Sequence, residues 1–388
     1  MVRVPTPLAR SGFPVTERWA YLNHAGVAPL GLAAVEAMEG YARRAAASGS
    51  LAGEARRQRA EEVRTAAARL MGVPATDVAF VKNTTEGLGF VANGLTWAEG
   101  DRVVIPDLEF PSTLYPWLAL RDLGVVVDTV ATEGIGRCLP MEAFSRVIAA
   151  GVPPKVVVTS WVQFGRGWRS DLAALAQVCR DVGALLCADV IQGLGVIPAQ
   201  LEAWGVDFAM ADAHKWLLGP EGIGVLYVAG HRLELLRPLE PGWNSVAHRE
   251  EWDNLELVWD SGARRLEGGS HNFAGIHAMG ASIDLLLAAG VDRVWRHVDA
   301  LCEQACAKLV DEAGATLLCD RSAGGRSGIV TFGLEGRDPV ELHRLLVGRG
   351  IACSPRGGGI RISPHGYNTT EEIDRLVDAV TELAGRAG

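Results

Sequence analysis

The chain has 388 residues, of which 48% are hydrophobic and 46 are glycine, so it can bury a large core. Its formal net charge of −9 is spread along the chain with no block of Lys or Arg, which argues against a nucleic-acid partner. No apolar run approaches the ~18 residues of a membrane span, and the first twenty residues lack the apolar core of a signal peptide.

The first two thirds of the chain alternate between helical and strand-like patterns. Residues 32–48 and 53–71 are rich in Ala, Arg and Glu and have helical periodicity. Apolar strand-like runs then alternate with helices at 77–81, 102–106, 125–130, 155–160, 184–189, 206–210 and 223–228. This alternation predicts an α/β fold with a mostly parallel sheet that is covered by helices on both faces.

The pattern changes near residue 290. A long helix, strands near 327–333 and 350–363, and a last helix at 370–385 follow from there. The change predicts a large domain at 31–285 and a smaller α+β domain at 286–388.

One stretch, CADVIQGLGVIPAQLEAWGVDFAMADAHKWLLGPEGIG, carries the chemistry. Asp189 ends a buried strand, Gln192 follows three residues later, and Lys215 comes after the next strand. Strand ends of a parallel sheet meet at one edge, so these side chains are expected to share a site. A buried carboxylate keeps the pyridine nitrogen of pyridoxal phosphate (PLP) protonated, and a desolvated lysine forms a Schiff base with its aldehyde. The stretch predicts a PLP site with Asp189 and Lys215 as catalytic residues.

The motifs ADVIQGLG and DAHKWLLGPEGIG resemble those of the class V aminotransferase family of fold-type I PLP enzymes. That family includes cysteine desulfurases, selenocysteine lyases, kynureninases and isopenicillin N epimerase-like proteins. Further motifs follow in the family's order, namely VKNTTEGLGFVANGL, EFPSTLYPW, LEGGSHNFAGIHAMGAS and RISPHGYNTTEEID, so the resemblance covers about residues 20 to 385. It implies a fold-type I PLP-dependent transferase in which residues 1–30 complete the small domain and the active site.

The phosphate of PLP is expected at the start of the helix that follows strand 77–81. The segment NTTEG places Thr84 and Thr85 at a helix N-terminus, where free N–H groups attract anions, although a plain capping box has the same pattern. The resemblance adds His214 as a phosphate contact. It also implies that Ser270 reaches the phosphate of a partner subunit, so a homodimer with shared active sites is expected.

Other residues are expected around the ring of the cofactor. The resemblance places Gln192 and Gln163 beside the phenolic oxygen of PLP and Phe110 against its ring. Cysteine desulfurases of the family usually have a histidine at the position of Phe110, and a phenyl ring can stack but cannot titrate. Asp212 stands where many relatives have a serine near the phosphate, and we expect its carboxylate to point away from that group.

Substrate contacts are expected from both ends of the chain. Arg361 is the expected partner of a substrate carboxylate, because a guanidinium binds a carboxylate through two parallel bonds. Arg356 either serves the same purpose or faces water. Asn23 and His24, in YLNHAGVAPL, resemble substrate-side residues, and a core role for His24 stays open.

Cysteine placement argues for a reducing cytoplasm, since the seven cysteines are scattered and odd in number. No metal site is predicted, because the spacing of Cys302 and Cys306 lacks a second pair of ligands. Cys353 lies eight residues before Arg361 among apolar neighbours and is interpreted as a buried strand residue rather than a sulfur-accepting nucleophile.

The resulting hypothesis is a cytoplasmic, homodimeric PLP enzyme that acts on an amino acid through an external aldimine, as an aminotransferase or a C–S/β-lyase. Cysteine desulfurase, selenocysteine lyase and epimerase activities are the alternatives, and a noncatalytic PLP-fold protein is a further one. Nucleic acid and membrane are not expected as partners.

Overall fold

The computed structural model describes residues 6–134 and 136–385, so part of the predicted N-terminal segment 1–30 lies outside the described residues. Within them the helices are α1 (Leu32–Ser48), α2 (Gly53–Met71), α3 (Thr84–Gly94), α4 (Pro111–Leu118), α5 (Met141–Ile148), α6 (Leu172–Val182), α7 (Leu201–Trp204), α8 (Phe273–Ala289), α9 (Val291–Asp311), α10 (Pro339–Gly348) and α11 (Thr370–Gly385). The strands are β1 (Ala20–Tyr21), β2 (Val78–Val81), β3 (Arg102–Pro106), β4 (Val126–Val130), β5 (Val156–Ser160), β6 (Leu185–Asp189), β7 (Phe208–Asp212), β8 (Gly224–Val228), β9 (Thr316–Leu317), β10 (Val330–Gly333), β11 (Ile351–Ala352), β12 (Ser354–Arg356) and β13 (Gly359–Ile362).

A seven-stranded sheet in the order β2-β8-β7-β6-β5-β3-β4 forms the centre of the molecule. Strands β7, β6, β5, β3 and β4 are parallel, whereas β8 is antiparallel to both of its neighbours, β2 and β7. The predicted α/β fold with a mostly parallel sheet is therefore confirmed.

The inner strands are continuous apolar runs because both faces of the sheet are covered. Every residue of β5, β6 and β7 is buried. Strands β6 and β7 are parallel neighbours, with Asp189 opposite Met210, so both chains leave the sheet at the same edge. This arrangement brings the residue that ends β6 close to the segment that follows Asp212.

A four-stranded antiparallel sheet, β12-β13-β10-β9, forms the smaller layer near the C-terminus. The single strand predicted at 350–363 is three short strands. Cys353 lies between β11 and β12, and Gly357 and Gly358, with φ of 64° and 83°, form the turn between β12 and β13. Glycine is required there because the left-handed region is strained for other residues.

The N-terminal residues attach to the C-terminal part of the chain. Strand β1 pairs in parallel with β11, with Ala20 opposite Ile351, and the Leu8 N–H donates to the Gly366 carbonyl at 3.1 Å. The N-terminal segment is thus held against the C-terminal part of the chain by backbone hydrogen bonds.

In the described part of the chain no single helix is long and apolar enough to cross a membrane, while the pair α8 and α9, bent by 81°, passes that test jointly.

Candidate active site

A cavity of about 430 Å³ opens at the carboxyl edge of β6 and β7. Its wall combines the ends of these strands with the start of α3, the β12–β13 hairpin and the segment after β1. The wall includes these residues that the sequence had singled out: Asn23, Thr84, Thr85, Phe110, Asp189, Gln192, Asp212, His214, Lys215, Arg356 and Arg361.

Lys215 is set apart by its surroundings. The chain has four lysines, and the three others form ion pairs with carboxylates: Lys82 with Glu86, Lys155 with Asp101, and Lys308 with Asp374. The Lys215 Nζ instead lies 5.5 Å from the centroid of the Phe110 ring. Burial, together with the charge of Arg361, lowers the pKa of Lys215 to about 8, although Asp189 and Asp212 act in the opposite direction. Such an amine loses its proton readily.

Asp189 is a buried carboxylate, only 4% exposed. The Ile191 N–H donates to its Oδ1 at 3.0 Å and the Thr113 hydroxyl donates to its Oδ2 at 2.9 Å. Burial raises the pKa of Asp189, which these two donors and Lys215 partly offset. No cation in the described residues forms an ion pair with it, so a protonated pyridine nitrogen fits the demand of this site.

Thr113 was not foreseen as a site residue. It belongs to the EFPSTLYPW motif but lies 76 positions from the aspartate that it contacts, and only the packing of α4 against the sheet brings the two together.

The N-terminus of α3 provides the phosphate end of the site. Asn83 caps the helix, because its Oδ1 accepts from the Glu86 N–H at 2.9 Å, so the capping interpretation and the anion-site interpretation hold together. Capping leaves Thr84 and Thr85 on the cavity wall. Helix α3 approaches β7 closely at Gly87, where a Cβ would lie 2.9 Å from the Cβ of Met210. The positive end of the helix is thereby held at the cavity.

Asp212 does not point away from the site, contrary to expectation. It lines the cavity, and its Oδ1 lies 3.0 Å from the His214 Nδ1 without the alignment of a hydrogen bond. Its backbone N–H donates to the Thr84 hydroxyl at 3.1 Å. Asp212 is the last residue of β7, so its side chain lies at the carboxyl edge of the sheet, where the cavity opens.

Arg361 is a buried guanidinium without a carboxylate partner in the described residues. It is 3% exposed, its Nη1 donates to the Phe164 carbonyl at 2.6 Å, its Nη2 donates to the Asn23 Oδ1 at 3.5 Å, and its Nε has no hydrogen-bond partner there. Burial, with a further contribution from Arg356, lowers its pKa to about 10. A buried positive charge on the cavity wall that lacks a carboxylate partner fits the carboxylate of a substrate.

Gln192 lines the cavity with part of its amide already engaged. Its Nε2 donates to the Ala25 carbonyl at 3.0 Å and its Oε1 accepts from the Trp216 indole at 2.9 Å. One amide proton remains for a cofactor oxygen. The glycines of the QGLG motif have a packing role, since a Cβ on Gly193 would lie 2.3 Å from the Trp161 ring.

Two predicted contacts are not in the cavity wall. His24 is fully buried, its Nδ1–H donates to the Ser363 carbonyl at 2.8 Å, and its Nε2 accepts from the Tyr367 hydroxyl at 2.6 Å. The Gln163 Oε1 accepts from two backbone N–H groups of the following loop, at 2.8 and 2.6 Å. Both side chains are thus engaged by neighbouring protein groups, and the predictions that His24 binds substrate and that Gln163 binds cofactor stay predictions.

Ser270 also lies away from this cavity. It is exposed and lines a separate cavity of about 580 Å³ together with Trp243 and His271. Its predicted role across a subunit interface stays a prediction.

The thiols of the described residues lie outside the cavity wall. Cys353 is 4% exposed, burial raises its pKa to about 12, and no cysteine of the described residues lines the cavity. Those residues also contain no group of three or more His, Cys, Asp or Glu side chains that could hold a metal ion.

Comparison with known proteins identifies the family. The model of the family described as Aminotransferase class-V matches residues 20–376. The chain therefore belongs to the class V aminotransferase family, whose members are PLP-dependent enzymes, and the resemblance seen in the motifs is confirmed.

The relatives of this chain are described with more than one activity. The chain is 30% identical to a protein of Methanothermobacter thermautotrophicus described as "Probable cysteine desulfurase", over 99% of this chain and 100% of that one. It is also 30% identical to the "Uncharacterized aminotransferase YcbU" of Bacillus subtilis, over 83% of each chain. Among solved structures, the cysteine desulfurase of Thermococcus onnurineus has the same fold, with a TM-score of 0.89, 24% identity and full coverage of both chains.

Proposed function

We propose that this protein acts at the α-carbon of an α-amino acid, as a C–S/β-lyase or an aminotransferase, without a sulfur-accepting cysteine of its own. One observation carries the proposal: a single cavity combines Lys215, Asp189 and Arg361, and no cysteine of the described residues lies in its wall. Bound PLP supplies the electron sink for breaking bonds at that carbon.

Each residue has a defined task in this proposal. Arg361 binds the α-carboxylate through its guanidinium group and so orients the α-carbon toward Lys215. Lys215, with a pKa near 8, takes and returns the α-proton. Asp189 holds the proton on the ring nitrogen, and Thr113 keeps that carboxylate in place. Phe110, which lies beside Lys215 on the cavity wall, would pack against the cofactor ring.

We infer further that the active form is a homodimer with shared sites and that it lies in the cytoplasm. Ser270 is exposed outside the cavity of its own chain, and large apolar side chains are exposed nearby, at Trp243, Trp252, Leu255, Leu257 and Val258. A partner subunit would cover this surface. All seven cysteines are free, which supports a reducing compartment.

A cysteine desulfurase is the second candidate, and the 30% identical relative from Methanothermobacter thermautotrophicus supports it. Desulfuration that proceeds through a protein persulfide needs an accessible thiolate. Cys353 opposes that route, because burial raises its pKa to about 12.

The experiment is a product screen with single amino acids on the purified, PLP-loaded protein, scoring pyruvate, alanine, sulfide and keto acids. Lys215→Ala should abolish turnover while the far-ultraviolet circular dichroism stays unchanged. Cys353→Ser should keep most of the activity on the true substrate. Loss of all sulfide release in Cys353→Ser, with Arg361→Ala still active on cysteine, would establish the desulfurase instead.

A further inference from the structure

A second arginine faces the same cavity as Arg361. Arg356 lines its wall, is exposed, and forms no ion pair with any carboxylate in the described residues. Its Nη1 donates only to the neighbouring Pro355 carbonyl, at 3.1 Å. The cavity thus contains two guanidinium groups without acidic partners, although the whole chain carries a net charge of −9.

The strand register places both arginines on one face of the hairpin. Ser354 pairs with Arg361 and Arg356 pairs with Gly359, so the two arginines are diagonal neighbours across β12 and β13. Diagonal neighbours have Cα atoms roughly 7–8 Å apart, within reach of two long side chains that converge on one small ligand. The residue opposite Arg356 is glycine, so no side chain there covers the guanidinium.

The hairpin is held rigidly over the cavity. A Cβ on Gly357 would lie 2.6 Å from the Gly165 carbonyl oxygen, which shows how closely the turn packs against the 163–166 loop. The Arg166 Nε–H also donates to the Gly357 carbonyl at 2.8 Å. The same loop supplies the Phe164 carbonyl that binds Arg361, so one scaffold positions both arginines.

Neither acidic side chain of the cavity forms an ion pair with Arg356 or Arg361. Asp189 is bound by Thr113 and the Ile191 N–H, and Asp212 faces His214. An amino acid with an uncharged side chain would therefore satisfy Arg361 and leave Arg356 without an anion.

We propose that the substrate is an α-amino acid whose side chain carries a second anionic group. Arg361 binds the α-carboxylate and Arg356 binds the distal anion, which makes Arg356 the residue that selects the substrate. This assignment rests on the proposed function, since it names the substrate class for the same site.

The test is isothermal titration calorimetry of the purified holoenzyme with two unreactive acids of four carbons, succinate and butyrate. Succinate should bind about fivefold to tenfold more tightly, because only it offers a second carboxylate for a charge-assisted bond at a partly exposed site. In Arg356→Gln this preference should fall to about one while butyrate binding stays unchanged. Arg344→Gln, which removes an exposed arginine from α10, is the matched control and should keep the preference.

Equal affinities for the two acids in the wild type would overturn the proposal, as would a preference that survives in Arg356→Gln. Failure of the proposed function is a separate result, since it would appear as absent turnover and absent lysine-bound PLP. Arg356→Lys should keep part of the succinate preference, because it retains the charge and loses the planar fork.

Discussion

At the residue scale, burial of Lys215 lowers the pKa of its amine and so makes the neutral, nucleophilic form accessible. The other three lysines form ion pairs with carboxylates, whereas Lys215 is buried and its charge is opposed by burial and by Arg361. Its pKa is lowered from 10.5 to about 8, so the neutral form becomes abundant as the pH rises through 8.

A pH dependence follows from this shift. The rate of PLP uptake by the apoprotein should rise up to about pH 8 and then level, because only the neutral amine attacks the aldehyde. Stopped-flow absorbance across pH 6.5–10.5 (on the order of half-unit steps) measures it. A rate that keeps rising toward pH 10 would mean that Lys215 has the pKa of an exposed lysine.

His24 is expected to stabilise the fold rather than to bind substrate. His24→Ala removes a fully buried ring and leaves the Ser363 carbonyl and the Tyr367 hydroxyl without partners, which should lower the free energy of unfolding by about 2–4 kcal/mol. Urea denaturation measures this loss. A raised KM with an unchanged free energy of unfolding would instead show that His24 contributes to substrate binding.

At the element scale, the position of α3 against β7 depends on a single glycine. In Gly87→Ala the new Cβ would lie 2.9 Å from the Met210 Cβ, so the helix must move away from the strand. PLP affinity should fall by the equivalent of about 1–3 kcal/mol, because the helix N-terminus moves with it.

Gly89→Ala is the matched control on the same helix. Its Cβ would meet only the Asn93 Nδ2, at 4.0 Å, so the change should leave PLP affinity unaltered and favour the helix by roughly 0.4–1 kcal/mol. Fluorescence titration of both apoproteins with PLP gives the comparison. Equal affinities in the two variants would show that α3 does not position the phosphate.

The helices and strands could be predicted from the sequence because their hydrophobic residues recur at regular spacing. Residues 32–48 and 53–71 are helices as predicted, and each predicted strand of the central sheet lies within about two residues of an observed one. Strand ends then place Asp189 beside Lys215.

The contacts of individual side chains could not be predicted, because spacing along the sequence carries no information about them. His24 and Gln163 belong to motif-like segments, but their direction depends on partners as distant as Ser363 and on local loop geometry. Asp212 was expected to avoid the phosphate end, yet its place at the end of β7 leaves its side chain in the cavity.

At the scale of the whole molecule, we propose that residues 31–285 and 286–388 form a large and a small domain and that 1–30 joins the second. The dimer hypothesis yields a complementation test. Lys215→Ala and Ser270→Asp should each be inactive, yet mixed dimers should regain roughly a quarter of the wild-type activity, because one site of each mixed dimer is complete. No recovery after mixing would place Ser270 outside the partner's site.

The measurement that tests the central claim most directly is the site of cofactor attachment. Borohydride reduction of the purified protein followed by peptide mass spectrometry should locate a pyridoxyl group on Lys215 and on none of Lys82, Lys155 and Lys308. A pyridoxyl group on another lysine, or none on any peptide of a PLP-treated sample, would contradict the account.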